Sequence, residues 1–519
     1  MQAQLIRDIT SCKMCSIAAR EHLKYMCCRC CSKTQQKIWV FGTATVFLVL
    51  GLVGIICGPS LIMDMIYKML PLKEGGRTYD KWANTPVPIY MAMYLYNWTN
   101  TEDVRVKGVK PNFERVGPYV FREERIKQNI TWYPNNTVSF MPQRFWYFEP
   151  DMSGGTLEDK ITCPHLPTIA ASNIARDFPK VIKVFFNIAL NSNGGALYQT
   201  HTADEWLFKG FYDEFLDYAM KLNNSMTGDI KDNHFAWFLH RNGSADFEGI
   251  FTINTGVEDL REMGELKLWN GVNHTGYFKN ECGRVNGSTS DLFVPNRKPD
   301  EWITIFMKDT CRIINLVPSG RTTIEGIEGI RYETKPDTYD SGTLNPDMKC
   351  YCPPELMPNN CPKHGATDIR SCADGAPMFM SHPGFLYADP SYANTTTGTR
   401  ADPEKDVFFI TMEPKLGVPL DVNVAIQISL YIQLDRDISL LRGIPSFYAP
   451  LFTINSIAKI TPDIAKEVKL ALNIPNIGLY TGIGITCLAV LIASVGIFVT
   501  VTKRWYEPIG DENTIINNH

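Results

Sequence analysis

Two apolar segments constrain this chain more than any other feature of its sequence. Residues 38–58 form a run of 21 residues without a charge, and residues 477–501 form a run of 25. At about 1.5 Å per helical residue, each run is long enough to cross a hydrocarbon core of about 30 Å. The first run could instead be a cleaved signal peptide. Its start at residue 38 and the poor cleavage site at Gly58-Pro59 favour an uncleaved signal-anchor.

The charges beside these runs predict that both tails lie in the cytosol. Residues 1–37 carry a net charge of +5, and Lys503 and Arg504 directly follow the second run. Positive charge stays on the cytosolic side of membranes. We therefore expect a multi-pass plasma-membrane protein, with residues 1–37 and 502–519 inside and residues 59–476 extracellular or lumenal. Since the tails contribute +5 and −1 to a total of −4, this large segment has a charge of −8.

Sequons and cysteines favour the same side of the membrane. The large segment contains eight Asn-x-Ser/Thr sequons, where roughly four are expected by chance. They are Asn97, Asn129, Asn135, Asn223, Asn242, Asn273, Asn286 and Asn394. Six cysteines between residues 282 and 372 allow fifteen disulfide pairings. A metal site is the alternative, and an oxidising compartment favours disulfides over it.

Local patterns predict a mainly β segment with one helical region. Residues 422–434 alternate at period two, which predicts a long strand with one aliphatic face. That face either covers a filled core or lines an apolar cavity. Hairpins are predicted at residues 119–140, turning at 134–136, and at residues 235–253, turning at Asn242-Gly243. Helices are predicted within residues 167–222, where five apolar residues recur at spacings of three and four: Leu207, Phe211, Phe215, Tyr218 and Leu222.

Six short motifs occur in an order that resembles one known family. They are RVGPYVFR at 115–122, NTVSF at 136–140, FEP at 148–150, CYC at 350–352, SHPGFLYADP at 381–390 and MEPKLG at 412–417. With the cysteine spacing and the two apolar runs, they resemble the class B scavenger receptor family from about residue 26 to 502. The segment 26–42 looks most like that of an insect member.

The resemblance implies an α+β membrane protein. Two transmembrane helices would flank a large antiparallel β-barrel-like ectodomain with a helical apical bundle, which we expect at residues 167–222. The resemblance also implies an apolar tunnel through which lipids pass toward the membrane. Members of the family bind lipoprotein particles, fatty acids, anionic phospholipids and apoptotic cells, or transport other hydrophobic cargo.

The resemblance also implies which cysteines pair. The expected disulfides are Cys282–Cys350, Cys311–Cys372 and Cys352–Cys361. Cys163 is then left over, either as a buried thiol or as an intermolecular link.

Both tails carry candidate modification or sorting residues. Cys27, Cys28, Cys30 and Cys31 lie shortly before the first apolar run, where S-acylation occurs. Unmodified thiols and a zinc site with Cys12 and Cys15 are the alternatives. At the other end, two segments resemble endocytic sorting signals, one tyrosine-based and one of the acidic dileucine type. Their key residues are Tyr506 and Ile509 in the first, and Asp511, Ile515 and Ile516 in the second.

Ligand docking is predicted at a basic face of the apical helices. Lys180 and Lys183 are three residues apart and should share a helix face, with Arg176 one turn before them. The alternative is an ordinary solvated face.

In the two apolar runs, the pairs Gly54/Gly58 and Gly478/Gly482 allow close packing of one run on the other or on a second copy of the chain.

We interpret the chain as a lipid-handling scavenger receptor. Expected partners are fatty acids, sterols or other lipids, lipoprotein particles or apoptotic cell surfaces, and the bilayer itself, with a homo-oligomer as an open alternative. A lysosomal or endosomal cargo receptor that binds a protein is the second interpretation. We expect no nucleic acid, since no basic domain is present, and no cofactor or metal. Hydrolase, metalloprotease and phosphate-loop motifs are missing, which argues against an enzyme. Neither apolar run has a charged residue to line an ion pore.

Overall fold

The computed structural model describes residues 32–222, 230, 232–353, 356–357, 361–373 and 375–505. The chain divides into two compact units. Met69–Ala465 forms the unit that we call the sheet domain, and the N- and C-terminal segments form the other.

The terminal unit contains the two apolar runs as helices. Helix α1 (Lys33–Ile56) is followed by α2 (Gly58–Met69), and α9, the last helix within the described residues, covers Pro462–Val501. By length and composition, α1 and α9 could each cross a membrane. Ser32 begins α1 with a capping box, in which its hydroxyl accepts from the Gln35 backbone N–H.

Glycines bring α1 and α9 into close contact. A Cβ atom added to Gly482 would lie 2.9 Å from the carbonyl carbon of Gly54, and one added to Gly54 would lie 3.3 Å from Gly482 Cα. Gly54 and Gly482 therefore serve the packing of one run on the other. Gly58 has no heavy atom within 4 Å of such a Cβ, so it does not take part.

The sheet domain is built around one large antiparallel sheet. Its strands follow the order β10-β11-β12-β15-β16-β17-β1-β2-β3-β8-β9, and β13 and β14 attach beside β16. The strands are β1 (Ile89–Trp98), β2 (Phe113–Tyr133), β3 (Thr137–Phe148), β8 (Phe251–Asn254), β9 (Leu266–Trp269), β10 (Ile303–Met307), β11 (Arg312–Ile324), β12 (Ile327–Glu333), β13 (Ala366–Asp368), β14 (Met378–Ser381), β15 (Phe409–Glu413), β16 (Val418–Ile432) and β17 (Phe447–Lys459). Ser288 forms one bridge to Glu265 beside β9 and another to Ile305 of β10. The two ends of the sheet thereby approach each other, and the sheet is nearly closed.

Helices and two small sheets complete this domain. The helices are α3 (Arg77–Ala83), α4 (Thr101–Lys107), α5 (Leu166–Ala175), α6 (Lys180–Ser192), α7 (Glu214–Lys221) and α8 (Pro390–Ala393). The remaining strands form two antiparallel pairs: β4 (Lys160–Pro164) with β5 (Tyr198–Thr202), and β6 (Phe211–Tyr212) with β7 (His234–Phe235). The predicted fold class is therefore confirmed: an α+β protein with two terminal apolar helices and a barrel-like antiparallel sheet.

The helical region differs from the predicted single amphipathic repeat. Residues 205–209 form a short π-helix, the chain turns at Gly210 with a φ of 76°, and Phe211 belongs to β6. Only α7 continues the repeat. A buried hydrogen bond of 2.6 Å joins His165, just before α5, to Asp213, which also caps α7 by accepting from the Leu216 N–H. Leu207, Phe211 and Phe215 contact the core from three successive elements, the π-helix, β6 and α7. Leu222 is exposed.

One predicted hairpin is confirmed and the other is wrong. β2 and β3 pair from Phe121↔Phe148 to Tyr133↔Thr137 and turn at residues 134–136. Residues 237–249 instead form a series of turns, and β8 pairs with β3 and β9. Asn242-Gly243 does make a turn, but its flanking segments contain too few alternating apolar residues to pair with each other.

Three disulfides join the six cysteines between residues 282 and 372. Cys282 is bonded to Cys350, Cys311 to Cys372, and Cys352 to Cys361, which are the pairs that the resemblance implies. Cys163 is a fully buried free thiol whose sulfur lies 3.6 Å from the Tyr96 carbonyl oxygen. Burial raises the pKa of this thiol far above its usual range.

Candidate functional site

The sheet domain encloses a cavity of about 270 Å³ with an aliphatic wall. This volume is close to the lower limit of ligand pockets, about 300 Å³. Side chains of β1, β15, β16 and β17 form the wall: Ile89, Met91, Ile410, Val422, Val424, Ile426, Ile454 and Ala458. The strand predicted at residues 422–434 is β16, and the first half of its aliphatic face lines this cavity. Ile428, Leu430 and Ile432 on the same face are buried in the hydrophobic core.

A group of ionised side chains lies at the cavity, together with aromatic lining residues such as Phe238, Phe293 and Phe408. We call it the charged cluster, and it consists of Glu123, Arg125, Lys127, Arg144, Arg241, Glu248, Asp291, Lys308 and Asp309. Glu123, Arg125 and Lys127 alternate along β2, so the three side chains point to the same side of the sheet. This run of charges at period two is the signal in the sequence from which part of the cluster could have been predicted.

Glu123 is the buried centre of one half of the cluster. Its carboxylate accepts from Arg125 Nε at 2.5 Å and from the Trp146 indole N–H at 3.1 Å, and Arg144 lies 3.7 Å away. Burial by itself would raise the pKa of Glu123, but Arg125 and Arg144 outweigh burial and lower it to about 2. The carboxylate is therefore ionised at every physiological pH.

Glu248 and Asp309 organise the other half. Arg241 donates to Glu248 at 2.8 Å and to Asp309 at 3.1 Å, while Lys308 Nζ lies 3.3 Å from Glu248 and 2.6 Å from Asp309. Burial opposes ionisation of both carboxyl groups. The neighbouring cations nevertheless hold both pKa values below their usual range, with Arg144 also acting on Glu248.

The charges of the cluster do not cancel. Its five cationic and four carboxylate side chains leave one net positive charge. Lys127 is 9 % exposed, and its ammonium lies 3.4 Å from Asp291 and 5.2 Å from the centre of the Trp82 ring. Burial lowers the pKa of Lys127, and Asp291 offsets part of this effect. A buried excess charge is stabilised by an opposite one, so the cluster is electrostatically complementary to an anion.

Three buried polar groups at the cavity have no hydrogen-bond partner within the described part of the chain. They are Trp82 Nε1, Arg144 Nε and Thr289 Oγ1. Buried polar groups normally have a partner, so these three groups are available to water or to a bound molecule that carries acceptors. The cavity thus combines an aliphatic wall with a cationic, donor-rich side.

The two lysines predicted to dock ligands have different environments. Lys180 is exposed at the start of α6. Lys183 is buried, and its ammonium donates to Asp435 at 2.9 Å. Arg176 lies beyond the end of α5 and donates to the Gln433 carbonyl oxygen at 3.1 Å. The predicted basic face is therefore absent: Lys183 holds α6 to the loop between β16 and β17. A docking role remains a prediction for Lys180 alone.

The predicted glycosylation sites fall into two groups. Five asparagines are exposed: Asn129, Asn135, Asn242, Asn273 and Asn394. Asn97 and Asn286 are half-buried, and the Asn97 side chain accepts from the Thr162 N–H at 2.9 Å. Asn223 lies outside the described residues. Glycosylation of all eight remains a prediction.

The remaining tail residues lie outside the described part of the chain. They are Cys12, Cys15, Cys27, Cys28, Cys30, Cys31, Tyr506, Ile509, Asp511, Ile515 and Ile516. Their acylation, zinc-binding and sorting roles remain predictions. Within residues 32–505, as far as they are described, no group of His, Cys, Asp and Glu side chains is arranged to hold a metal ion.

Comparison with known proteins gives consistent matches across the chain. The model of the CD36 family matches residues 42–500. Protein peste of Drosophila melanogaster is 33% identical over 446 residues, covering 83% of this chain and 79% of that protein. Scavenger receptor class B member 1 of Mus musculus is 31% identical over 407 residues, covering 78% and 77%. Lysosome membrane protein 2 of Rattus norvegicus is 27% identical over 492 residues, covering 94% and 97%.

Proposed function

Because the chain belongs to the CD36 family, we propose that this scavenger receptor-like membrane protein binds an amphiphilic lipid in its ectodomain and passes it to the bilayer. One observation carries the proposal: the cavity has an aliphatic wall on one side and the charged cluster, with its net positive charge, on the other. We infer that the preferred ligand has an alkyl chain and an anionic head group, as a fatty acid does.

The chemistry of the two sides supports this choice. Transfer of an alkyl chain out of water gains about 0.8 kcal/mol for each CH₂ group, which the wall of β16 and β17 would supply. A carboxylate head would accept from the unpartnered Trp82 and Arg144 donors. Hydrogen bonds with an ionised partner are the stronger ones. A sterol offers one neutral hydroxyl, and it would leave the excess positive charge uncompensated.

A pair of neighbouring residues on β17 provides a matched test. Ala458 lines the cavity, whereas Ile457 points to the opposite face of the strand and is 40% exposed. In transfected cells that carry equal surface amounts of the full chain, Ala458→Phe should place a phenyl ring in the cavity and reduce uptake of fluorescent fatty acid. Ile457→Phe adds the same ring outside it and should leave uptake at the level of the parent protein.

The outcome decides between transport and other roles. Equal uptake by both variants would contradict a conduit through this cavity. Equal reduction by both would mean that the strand, rather than the cavity, had been disturbed.

A lysosomal cargo receptor is the second candidate, and the match to Lysosome membrane protein 2 over 94% of the chain favours it. Steady-state staining shows where the full chain resides, and the uptake assay above shows whether the cavity carries fatty acid. Residence in lysosomes, together with equal fatty-acid uptake by Ala458→Phe and the parent protein, would support the cargo receptor.

A further inference from the structure

The start of β11 carries a buried arginine without an acidic partner. Arg312 is 1% exposed, and its guanidinium donates to the Thr338 carbonyl oxygen at 2.9 Å and to the Thr367 hydroxyl. Its Cζ atom lies 3.7 Å from the centre of the Tyr351 ring. Among the described residues, none supplies a carboxylate that forms an ion pair with Arg312. A charged side chain in the interior is normally paired, so this environment is unusual.

The buried carboxylates on neighbouring segments are engaged elsewhere. Asp340 accepts from the backbone N–H groups of residues 343–345 at 2.7–3.0 Å. Asp368 is paired with Arg370 at 2.7 Å. The positive charge of Arg312 is therefore met only by neutral acceptors and by the face of a ring.

Four buried polar atoms of this region have no hydrogen-bond partner within the described part of the chain. They are Arg312 Nε, the Tyr339 hydroxyl, Ser341 Oγ and His382 Nδ1. The Arg312 guanidinium binds the residue before Tyr339, and the ring centres of Tyr339 and His382 are 4.8 Å apart. Burial raises the pKa of the Tyr339 hydroxyl, and the positive charge of Arg312 acts in the opposite direction, so the two groups lie within electrostatic reach of each other.

Each of these four atoms can act as a hydrogen-bond donor. Arg312 Nε carries a proton at every physiological pH, and the hydroxyls of Tyr339 and Ser341 can turn toward an acceptor. His382 Nε2 is bonded to the Thr334 hydroxyl at 3.1 Å, and when that hydroxyl donates, the neutral ring carries its proton on Nδ1. Donors beside a cation form their strongest hydrogen bonds with an acceptor that is negatively charged.

The charge and the burial of this region select the kind of acceptor. A water molecule would satisfy some of the donors but would leave the charge of Arg312 uncompensated, whereas one monovalent anion supplies both an acceptor and the opposite charge. Arg312, Tyr339, Ser341 and His382 are each 1% exposed. The region is therefore closed to an organic acid, whose tail would need an opening.

We propose that these four residues, which we call the Arg312 site, hold a small monovalent inorganic anion such as chloride. The anion compensates the charge of Arg312 and joins the start of β11 to residues 338–341. Cys311, directly before Arg312, is bonded to Cys372, so the anion adds to the connections of the disulfide-linked region. None of the four residues lines the cavity, and the inference is independent of the proposed function.

Urea unfolding of the full chain in detergent micelles tests the site. An anion that binds only the folded state stabilises that state by mass action. The unfolding midpoint is measured while chloride replaces gluconate, an anion too large for a closed site, at constant ionic strength. We expect the midpoint to rise with chloride and to level off once the site is filled, and bromide should have the same effect.

Tyr339→Phe locates the effect, because it removes only an unpartnered hydroxyl and leaves the ring in place. It should raise the chloride concentration needed for half of the effect about tenfold or more, since a hydrogen bond to a charged partner is lost. Tyr387→Phe is the matched control: its ring centre also lies close to that of His382, at 5.8 Å, but the residue is 43% exposed. This control should keep the chloride dependence of the parent protein. In crystals of the full chain grown with bromide, the anomalous signal of the ion should lie beside Arg312 Nε.

Three results would overturn the proposal. An unfolding midpoint that stays constant when chloride replaces gluconate would mean that water fills the site. Equal chloride dependence in Tyr339→Phe and the parent protein would place the ion elsewhere. A bromide-grown crystal without an anomalous signal at Arg312 would exclude the site directly.

Discussion

Replacing Lys183 with methionine should loosen α6 from the sheet domain. The change removes the ammonium and leaves the Asp435 carboxylate, whose side chain is 8% exposed, with only the Asp437 N–H as a donor. Breaking a buried ion pair costs about 3–5 kcal/mol, and we expect about 3 kcal/mol because both side chains retain some exposure. Opening of α6 should then be on the order of 100-fold more frequent.

Hydrogen exchange of peptides that cover residues 180–192 measures this opening. In the full chain in nanodiscs, amide exchange in Lys183→Met should accelerate by that factor. The exposed neighbour provides a control, since Lys180→Met should change exchange by less than about threefold, equivalent to about 0.5 kcal/mol. In Lys183→Met/Asp435→Leu both charges are gone, and most of the protection should return. Equal exchange in the parent and Lys183→Met would refute the anchoring role of this pair.

Three further predictions concern the sheet domain. Removing the Cys352–Cys361 bridge, whose cysteines are 9 residues apart, should lower the free energy of unfolding by about 2.6 kcal/mol. Removing the Cys311–Cys372 bridge, whose cysteines are 61 residues apart, should lower it by about 4.3 kcal/mol. Urea unfolding of the serine variants measures both values. Mass spectrometry after enzymatic deglycosylation should find glycans at the five exposed sequon asparagines and none at Asn97 or Asn286, because a glycan on a half-buried side chain would conflict with the folded state. Burial lowers the pKa of His382 to about 3, so the unfolded chain takes up a proton below about pH 6.5 that the folded chain does not. Each pH unit below 6.5 should therefore remove about 1.4 kcal/mol from the free energy of unfolding. Urea unfolding of the parent protein and of His382→Gln at about pH 7.5 and about pH 5 tests this: the variant should lose less stability than the parent between the two pH values.

Local sequence patterns predicted those elements whose structure is determined by residues close together in the sequence. The length of the apolar runs predicted α1 and α9, alternation predicted β16, and the turn residues 134–136 predicted the β2–β3 hairpin. The orientation of α6 could not be predicted in this way. Its two faces are both regular in the sequence, and the choice between them depends on Asp435, which lies 252 residues away from Lys183. The spacing of Lys180 and Lys183 predicted a shared basic face, but the bond to Asp435 buries Lys183 while Lys180 stays exposed.

The charged cluster illustrates the same limit. Alternation along β2 is readable, but the partners of Glu123 and Glu248 come from β3, from the turns after it and from the segment after β10. A charged residue on a strand is usually a solvated one. The near-closure of the sheet turns this face into the lining of a cavity, and the bridges of Ser288 join the two ends of the sheet.

Hydrogen bonds on the far side of β16 hold the strand that lines the cavity. The face opposite the aliphatic wall is also buried, and its side chains are tied by hydrogen bonds: Tyr96 donates to Gln427 at 3.0 Å, and Gln427 donates to Ser429 at 3.0 Å. The strand is therefore fixed from behind while Val422, Val424 and Ile426 remain at the cavity. Binding of the proposed lipid would then require no movement of the backbone, because a strand that is already ordered in the fold adds no ordering cost on binding. The two interpretations of residues 422–434, core strand and cavity wall, are consequently both correct for different halves of one strand.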